Sequence, residues 1–215
     1  MNFDQARFNM VEQQIRPWDV LDPKVLQLFM DIPRHHFVPE REQAIAYMDL
    51  EVPLDHGQFM LPPKVEARML QAVDIDESES VLEIGTGSGF MTALLAELAK
   101  SVTTVEYFAD LSAQAQKKLS QYDNIHFEVG DGACDWYDGK TYDVIILTGA
   151  TAEVPQAHLN KLNLGGRLIA TTGASPLMET WLITRVEDNN YEYEGLFETE
   201  IPALIHCEPK ETFTF

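Results

Sequence analysis

Hydrophobic and polar positions change their period along this chain. From residue 80 onward, short runs of β-branched and aliphatic residues alternate with stretches whose apolar positions recur every three to four residues. The runs predict strands over 80–84, 101–106, 125–129, 142–147 and 167–172. The stretches between them predict helices over 91–100, over 110–121 with Leu111, Ala115 and Leu119 on one face, and over 154–162, stopped by Gly165-Gly166. Beyond Gly173 the pattern becomes two strands, 181–185 and 191–199, around the turn Asp188-Asn189-Asn190, an antiparallel hairpin at the sheet edge. Strand and helix in alternation predict an α/β fold, a doubly wound sheet with helices on both faces.

The first 79 residues follow a different pattern. Helical stretches at 11–15 and 24–30 are broken by Pro17, Pro23 and Pro33, a loop-rich segment spans 47–63, and a helix over 64–73 places Val65, Met69 and Ala72 on one face. With no repeat, low-complexity tract or long linker, residues 1–79 are expected to form a helical cap and loop packed on a domain of residues 80–215.

Composition narrows the partners. A formal charge of -20, from 35 acidic and 15 basic residues, opposes binding to a phosphate backbone, so no nucleic-acid partner is expected. No apolar run approaches the roughly 18 residues that span a bilayer, and the first residues lack a signal peptide's basic and apolar regions; a soluble, cytoplasmic protein away from membranes is expected. Cys134 and Cys207 lack metal-ligand spacing and are expected as reduced thiols, and Arg34-His35-His36 has no metal spacing either, so no metal site is expected. Trp18, Trp136 and Trp181 read as packing residues, Trp136 being near enough to Asp131 to line a pocket.

The chemistry concentrates at Val81-Leu82-Glu83-Ile84-Gly85-Thr86-Gly87-Ser88-Gly89-Phe90, an apolar strand running into three alternating glycines that open a helix. Glycine permits the left-handed turns and close backbone approach that a cofactor loop needs. Dinucleotide-binding loops of the G-x-G-x-x-G type would require glycine at 90 and find Phe90. Glu106 ends the next strand, about 20 residues on, where a carboxylate accepts from ribose hydroxyls. Asp131-Gly132 follows a third strand, where an acid accepts from an adenine amino group and glycine leaves room for the ring. Each feature has a plain alternative: a tight turn, a helix N-terminal acid, a β-turn.

Taken together, Glu-x-Gly-x-Gly-x-Gly, the strand ending in Glu106 and the strand ending in Asp131-Gly132 resemble the S-adenosylmethionine-dependent methyltransferases. The resemblance narrows through Met10-Val11 with Gln14-Ile15, Ile32-Pro33-Arg34-His35-His36-Phe37-Val38-Pro39, Ala46-Tyr47-Met48-Asp49, Gly57-Gln58 and Leu164-Gly165-Gly166-Arg167-Leu168 to the protein-L-isoaspartate O-methyltransferase family. It implies a seven-stranded Rossmann-like sheet with an N-terminal helical cap, S-adenosylmethionine as cofactor, and methyl transfer to the α-carboxylate of an isoaspartyl residue in a protein or peptide, the start of protein repair. The cofactor residues it implies are Glu83, Gly85, Thr86, Gly87, Gly89, Glu106, Asp131 and Gly132.

One departure bears on the acceptor. The family's loop reads Gly-x-Gly-Gln-Thr-Ile-Ser-x-Pro, its serine regarded as the active-site residue, whereas this chain reads Asp55-His56-Gly57-Gln58-Phe59-Met60-Leu61-Pro62-Pro63, with Leu61 at the serine position. Leucine neither donates nor accepts a hydrogen bond. A carboxylate acceptor, with a pKa of roughly 3.5 to 4, is ionised at neutral pH and needs no general base, so positioning supplies much of the acceleration. The apolar Phe59-Met60-Leu61 also suits a different, more apolar small-molecule acceptor, and a non-catalytic S-adenosylmethionine binder is a further reading. Acceptor-side candidates are His56, as a carboxylate ligand, a base or an exposed loop residue, with Gln58, Leu61 and Thr148.

Overall fold

The computed structural model describes residues 2–207. Residues 208–215 of the expected C-terminal domain lie outside that range. The sheet has seven strands: β3 (Ser80–Ile84), β4 (Ser101–Glu106), β5 (Ile125–Val129), β6 (Tyr142–Leu147), β7 (Leu162–Ala174), β8 (Leu177–Glu187) and β9 (Asn190–Glu198). Their order across the sheet is β5-β4-β3-β6-β7-β8-β9. β3 pairs parallel with β4 and β6, β4 with β5, and β6 with β7, while β8 and β9 close the edge as antiparallel partners. A separate two-stranded ribbon joins β1 (Val52–Pro53) to β2 (Phe59–Met60).

The central strands are apolar on both faces because helices or the cap cover both sides. Alternate residues of β6 part accordingly: Val144 and Ile146 join one buried cluster, Ile145 and Leu147 the other. The first cluster continues into the cap through Met10, Ile15, Phe29 and Leu70. Helix α4 (Phe90–Leu98) is buried from Phe90 through Ala96, which explains its nearly all-apolar sequence. Helix α5 (Ala109–Lys118) presents only Leu111, Ser112 and Ala115 inward.

The cap begins with α1 (Phe3–Met10), whose N-cap Asn2 accepts from the Gln5 amide at 3.1 Å. A π-helical turn over Val11–Ile15 carries it on. Helix α2 (Pro23–Asp31) starts with proline at its first position behind the cap residue Asp22. Helix α3 (Pro63–Val73) follows the β1–β2 ribbon.

Several predicted boundaries move, two of them around Gly165-Gly166. The helix expected over 154–162 is the short α6 (Gln156–Asn160), since Pro155 begins it and Leu162 already belongs to β7. Gly165-Gly166 sits within β7, at a register shift against β6, with Gly165 at φ +78°. The glycines form an irregularity in a strand instead of stopping a helix, so β7 extends to both sides of 167–172.

Arg34 joins the cap to the rest. It has no solvent exposure; its guanidinium ion-pairs with Glu66 of α3, donates to the Leu61 carbonyl, and lies 4.9 Å from the Phe90 ring centroid. Burial pushes the Glu66 carboxyl up to about 7 despite the arginine beside it. Removing one member of such a pair strands the other, so Arg34→Leu is expected to lower the urea unfolding free energy by about 3 to 5 kcal/mol. Arg34→Leu with Glu66→Leu should regain most of it; a double variant no more stable than the single would contradict this account.

Candidate cofactor and acceptor site

β3 enters the glycine loop at the carboxyl edge of the sheet, where doubly wound folds bind ligands. The Gly85 amide donates to the Val105 carbonyl at 2.8 Å, and at φ +98° a side chain there would be strained and would run into the Thr148 hydroxyl. That hydroxyl lies 2.9 Å from the Ile84 carbonyl and 2.6 Å from that of Gly85, so Thr148 braces the loop. Gly89, at φ +85°, opens α4 where a Cβ would press on Ala115 and Leu119 at 3.1 Å.

Glu106 ends β4 facing this loop. One carboxylate oxygen accepts from the Gly87 amide at 2.8 Å, the other from the Phe108 amide at 3.0 Å. Burial raises its pKa while these amides oppose the shift. The two oxygens retain lone pairs for further donors.

An open cleft lies before these groups. Of the sequence-predicted residues, Gly85, Gly87, Glu106, Asp131 and Gly132 line it from the sheet edge. Gln58, Leu61 and Thr148, the predicted acceptor-side residues, line it as well. Gly132 touches the floor, since a Cβ there would lie 3.0 Å from Ile84 and 3.2 Å from Val105. Asp131 faces His206, whose Nδ1 is 2.7 Å from its carboxylate.

Four predicted residues lie outside the cleft. Glu83 is fully buried behind the loop, accepting from the Thr92 and Thr104 hydroxyls at 2.6 Å each. Thr86 extends the same chain, its hydroxyl 2.6 Å from that of Thr104. Gly89 packs on α5, as described. His56 lies across the N-terminal end of α5: its Nε2 is 2.8 Å from Asp110 and its ring stacks on Phe108 at 4.1 Å. Trp136 also stands apart from the lining, packed behind Gly130, where a Cβ would come within 2.8 Å of the indole.

Other contributors carry no local sequence signal. Lys118 donates to the Phe37 carbonyl at 2.8 Å and reaches the Ser88 carbonyl at 3.4 Å, linking cap to glycine loop. The buried His158 donates from Nε2 to the Gly132 carbonyl at 2.8 Å. Tyr107 and the segment Pro202 to Ile205 complete the lining. Among the described residues no group of three or more His, Cys, Asp or Glu side chains is arranged to hold a metal, and no helix is long and apolar enough to cross a membrane.

A first strand turning through glycines, a second ending in a cleft-facing acid, and an antiparallel pair closing a parallel sheet define a Rossmann-like methyltransferase fold. The chain belongs to the Protein-L-isoaspartate(D-aspartate) O-methyltransferase (PCMT) family, whose model matches residues 5–199. It is similar to the protein-L-isoaspartate O-methyltransferase of Petrotoga mobilis, 38% identical over 90% of this chain and 92% of that one. The Syntrophus aciditrophicus enzyme of the same name is 38% identical over 87% of each. A candidate family member from Plasmodium falciparum, solved in complex with S-adenosyl-L-homocysteine, shares the fold with a TM-score of 0.79 at 17% identity, over 95% of this chain and 98% of that one.

Glu83 yields a pH prediction. Burial pushes its carboxyl up to about 8, against 4.5 for the ordinary group. The native state then keeps a proton that the unfolded chain releases, so the stability contributed by this group is complete below pH 4.5 and is lost as pH rises through 8. Glu83→Gln, which mimics the protonated form, should gain on the parent as pH rises from 5 to 8, by up to about 1.4 kcal/mol per pH unit in urea unfolding. A parent-to-variant difference independent of pH would contradict it.

Proposed function

We propose that this chain is a protein-L-isoaspartate O-methyltransferase, transferring a methyl group from S-adenosylmethionine to the α-carboxylate of isoaspartyl residues in proteins or peptides. The observation that carries the reading is Glu106, held against the glycine loop by the Gly87 amide with its carboxylate lining the cleft. Family membership over residues 5–199 supports the reaction.

Five of the predicted cofactor residues line the cleft, and their chemistry supports the cofactor reading. Gly85 and Gly87 let ligand atoms approach the backbone, Glu106 has acceptor capacity for a ribose diol, and Asp131 stands where an adenine amino group needs an acceptor. Glu83, Thr86 and Gly89 serve the cofactor by shaping the loop from behind. S-adenosylmethionine, when bound, supplies an electrophilic methyl on a sulfonium. The acceptor carboxylate is ionised at neutral pH, so the protein's task is to orient it and exclude water.

On the acceptor side, Arg34 fixes the Leu61 carbonyl, which leaves the Leu61 side chain in the lining beside Phe59 and Gln58. Thr148 has its hydroxyl engaged with the loop carbonyls and acts as a positioning residue. His56, engaged by Asp110, orders the acceptor loop. Phe59, Leu61, Pro202 and Leu204 make part of the lining apolar, which favours as a second reading a methyltransferase for a more apolar small molecule. The negative charge argues against a nucleic-acid substrate, and a cytoplasmic setting suits the cysteine content.

Purified protein with methyl-labelled cofactor and an isoaspartyl peptide is expected to form a base-labile methyl ester; none above background would sink the main reading. Under the second reading the parent is poor and Leu61→Ser raises kcat/KM on the peptide at least tenfold, whereas a parent already fully active excludes it. Glu106→Ala should weaken S-adenosylhomocysteine binding about 10- to 100-fold by calorimetry, the loss of one or two charge-assisted hydrogen bonds. Unchanged affinity would remove Glu106 from the site.

A further inference from the structure

The cleft is bordered by two segments far apart in sequence. Residues 201–207 cross the carboxyl edge of the sheet as a strap: the Ala150 amide donates to the Pro202 carbonyl and the Leu204 amide to the Ala150 carbonyl, both at 2.8 Å, and the Ala152 amide donates to the Cys207 carbonyl at 3.1 Å. Pro202 to Ile205 line the cleft from this strap. Gly130 to Ala133 line it from the opposing loop, and Cys134 comes next. The two meet at a pair of side-chain contacts. One is the exposed His206–Asp131 pair; the other is Cys134 with Cys207, whose sulfurs lie 2.7 Å apart across 73 positions of sequence.

We propose that Cys134 and Cys207 form a reversible disulfide that fastens the strap over the cofactor cleft. In the dithiol state the meeting point depends on weak contacts, because an exposed ion pair contributes little. The strap then lifts for cofactor exchange whenever its backbone hydrogen bonds to Ala150 and Ala152 open. A covalent link between its end and the opposing loop removes that freedom.

The thiols differ in access, which orders the chemistry. Cys134 is exposed and Cys207 is buried, so a small-molecule disulfide such as oxidised glutathione meets Cys134 first. The Cys134 thiol gives its proton to solvent and its thiolate attacks one glutathione sulfur; that disulfide breaks and one glutathione thiolate leaves. The Cys207 thiol then gives up its proton, its sulfur attacks that of Cys134, and the second glutathione leaves. Two protein thiols have lost two electrons and two protons, which glutathione disulfide has taken up as two glutathione thiols. The proximity of the sulfurs favours the internal second step over attack by another glutathione. Excess reduced glutathione runs the sequence backwards.

What the strap encloses rests on the cofactor reading above, whereas the disulfide does not, and three readouts separate them. The full chain is equilibrated in glutathione buffers of graded redox ratio without cofactor. Peptide mapping under non-reducing conditions should show the Cys134–Cys207 linked peptide within one chain. Hydrogen exchange at the Leu204 and Cys207 amides should slow at least tenfold in the linked form, and so should S-adenosylhomocysteine dissociation. Dithiothreitol should restore both rates, and Cys134→Ser should behave as the reduced parent in every buffer. No linked peptide, links only between chains, or a linked form whose strap exchanges at the reduced rate would each overturn the proposal. If the reduced parent binds no S-adenosylhomocysteine the cofactor reading fails, and hydrogen exchange alone then decides the clasp.

Discussion

A guanidinium shut away from water governs how this molecule is joined. An arginine without solvent exposure has lost its hydration, and the fold must replace it or fail. Arg34 finds the replacement in three elements at once: the Glu66 carboxylate on α3, the Leu61 carbonyl in the acceptor loop, and the face of Phe90 at the start of α4. Cap, acceptor loop and the helix that follows the glycine loop are thereby referred to one point. The loop is gripped by its backbone at Leu61, a residue that borders the cleft while belonging to the buried core cluster. The cap thus does more than cover the core. It sets where the acceptor rim stands relative to the cofactor loop.

Two glutamates on neighbouring strands show how environment divides the work. Glu83 and Glu106 both belong to the acidic pattern around the glycines, yet Glu83 points into the interior and takes hydroxyl donors from Thr92 and Thr104. Glu106 points to the cleft and takes backbone amides from the loop it faces. Burial raises both, but only Glu106 has lone pairs directed to a space that a ligand can enter. The first braces the loop from behind and the second lines the cleft in front of it.

Much of the sheet is legible locally. The runs at 80–84, 101–106, 125–129 and 142–147 coincide with β3 to β6; β3, β4 and β6 are buried along most of their length, whereas the edge strand β5 is half-buried to exposed and is marked by its β-rich residues alone. The hairpin is legible too, though β8 begins at Leu177, earlier than its apolar core at 181–185 suggests. Gly165-Gly166 misleads because glycine marks a helix stop and a strand irregularity alike. The strap at 201–207 escapes notice because its short apolar run is continuous, with neither helical nor strand period, and its hydrogen bonds go to Ala150 and Ala152, some fifty positions away.

Within the site, spacing along the chain determined the glycine turn, the acid at the end of β4 and the Asp131-Gly132 pair, because each depends on a residue's own backbone freedom or on its place at a strand end. Tertiary structure alone decided which acid faces the cleft, that His56 is taken up by Asp110, that Trp136 stands behind Gly130, and that Cys134 meets Cys207. Those outcomes depend on how segments pack after the chain has crossed the sheet several times. Local periodicity carries no record of that, because distance along the sequence does not specify distance in space.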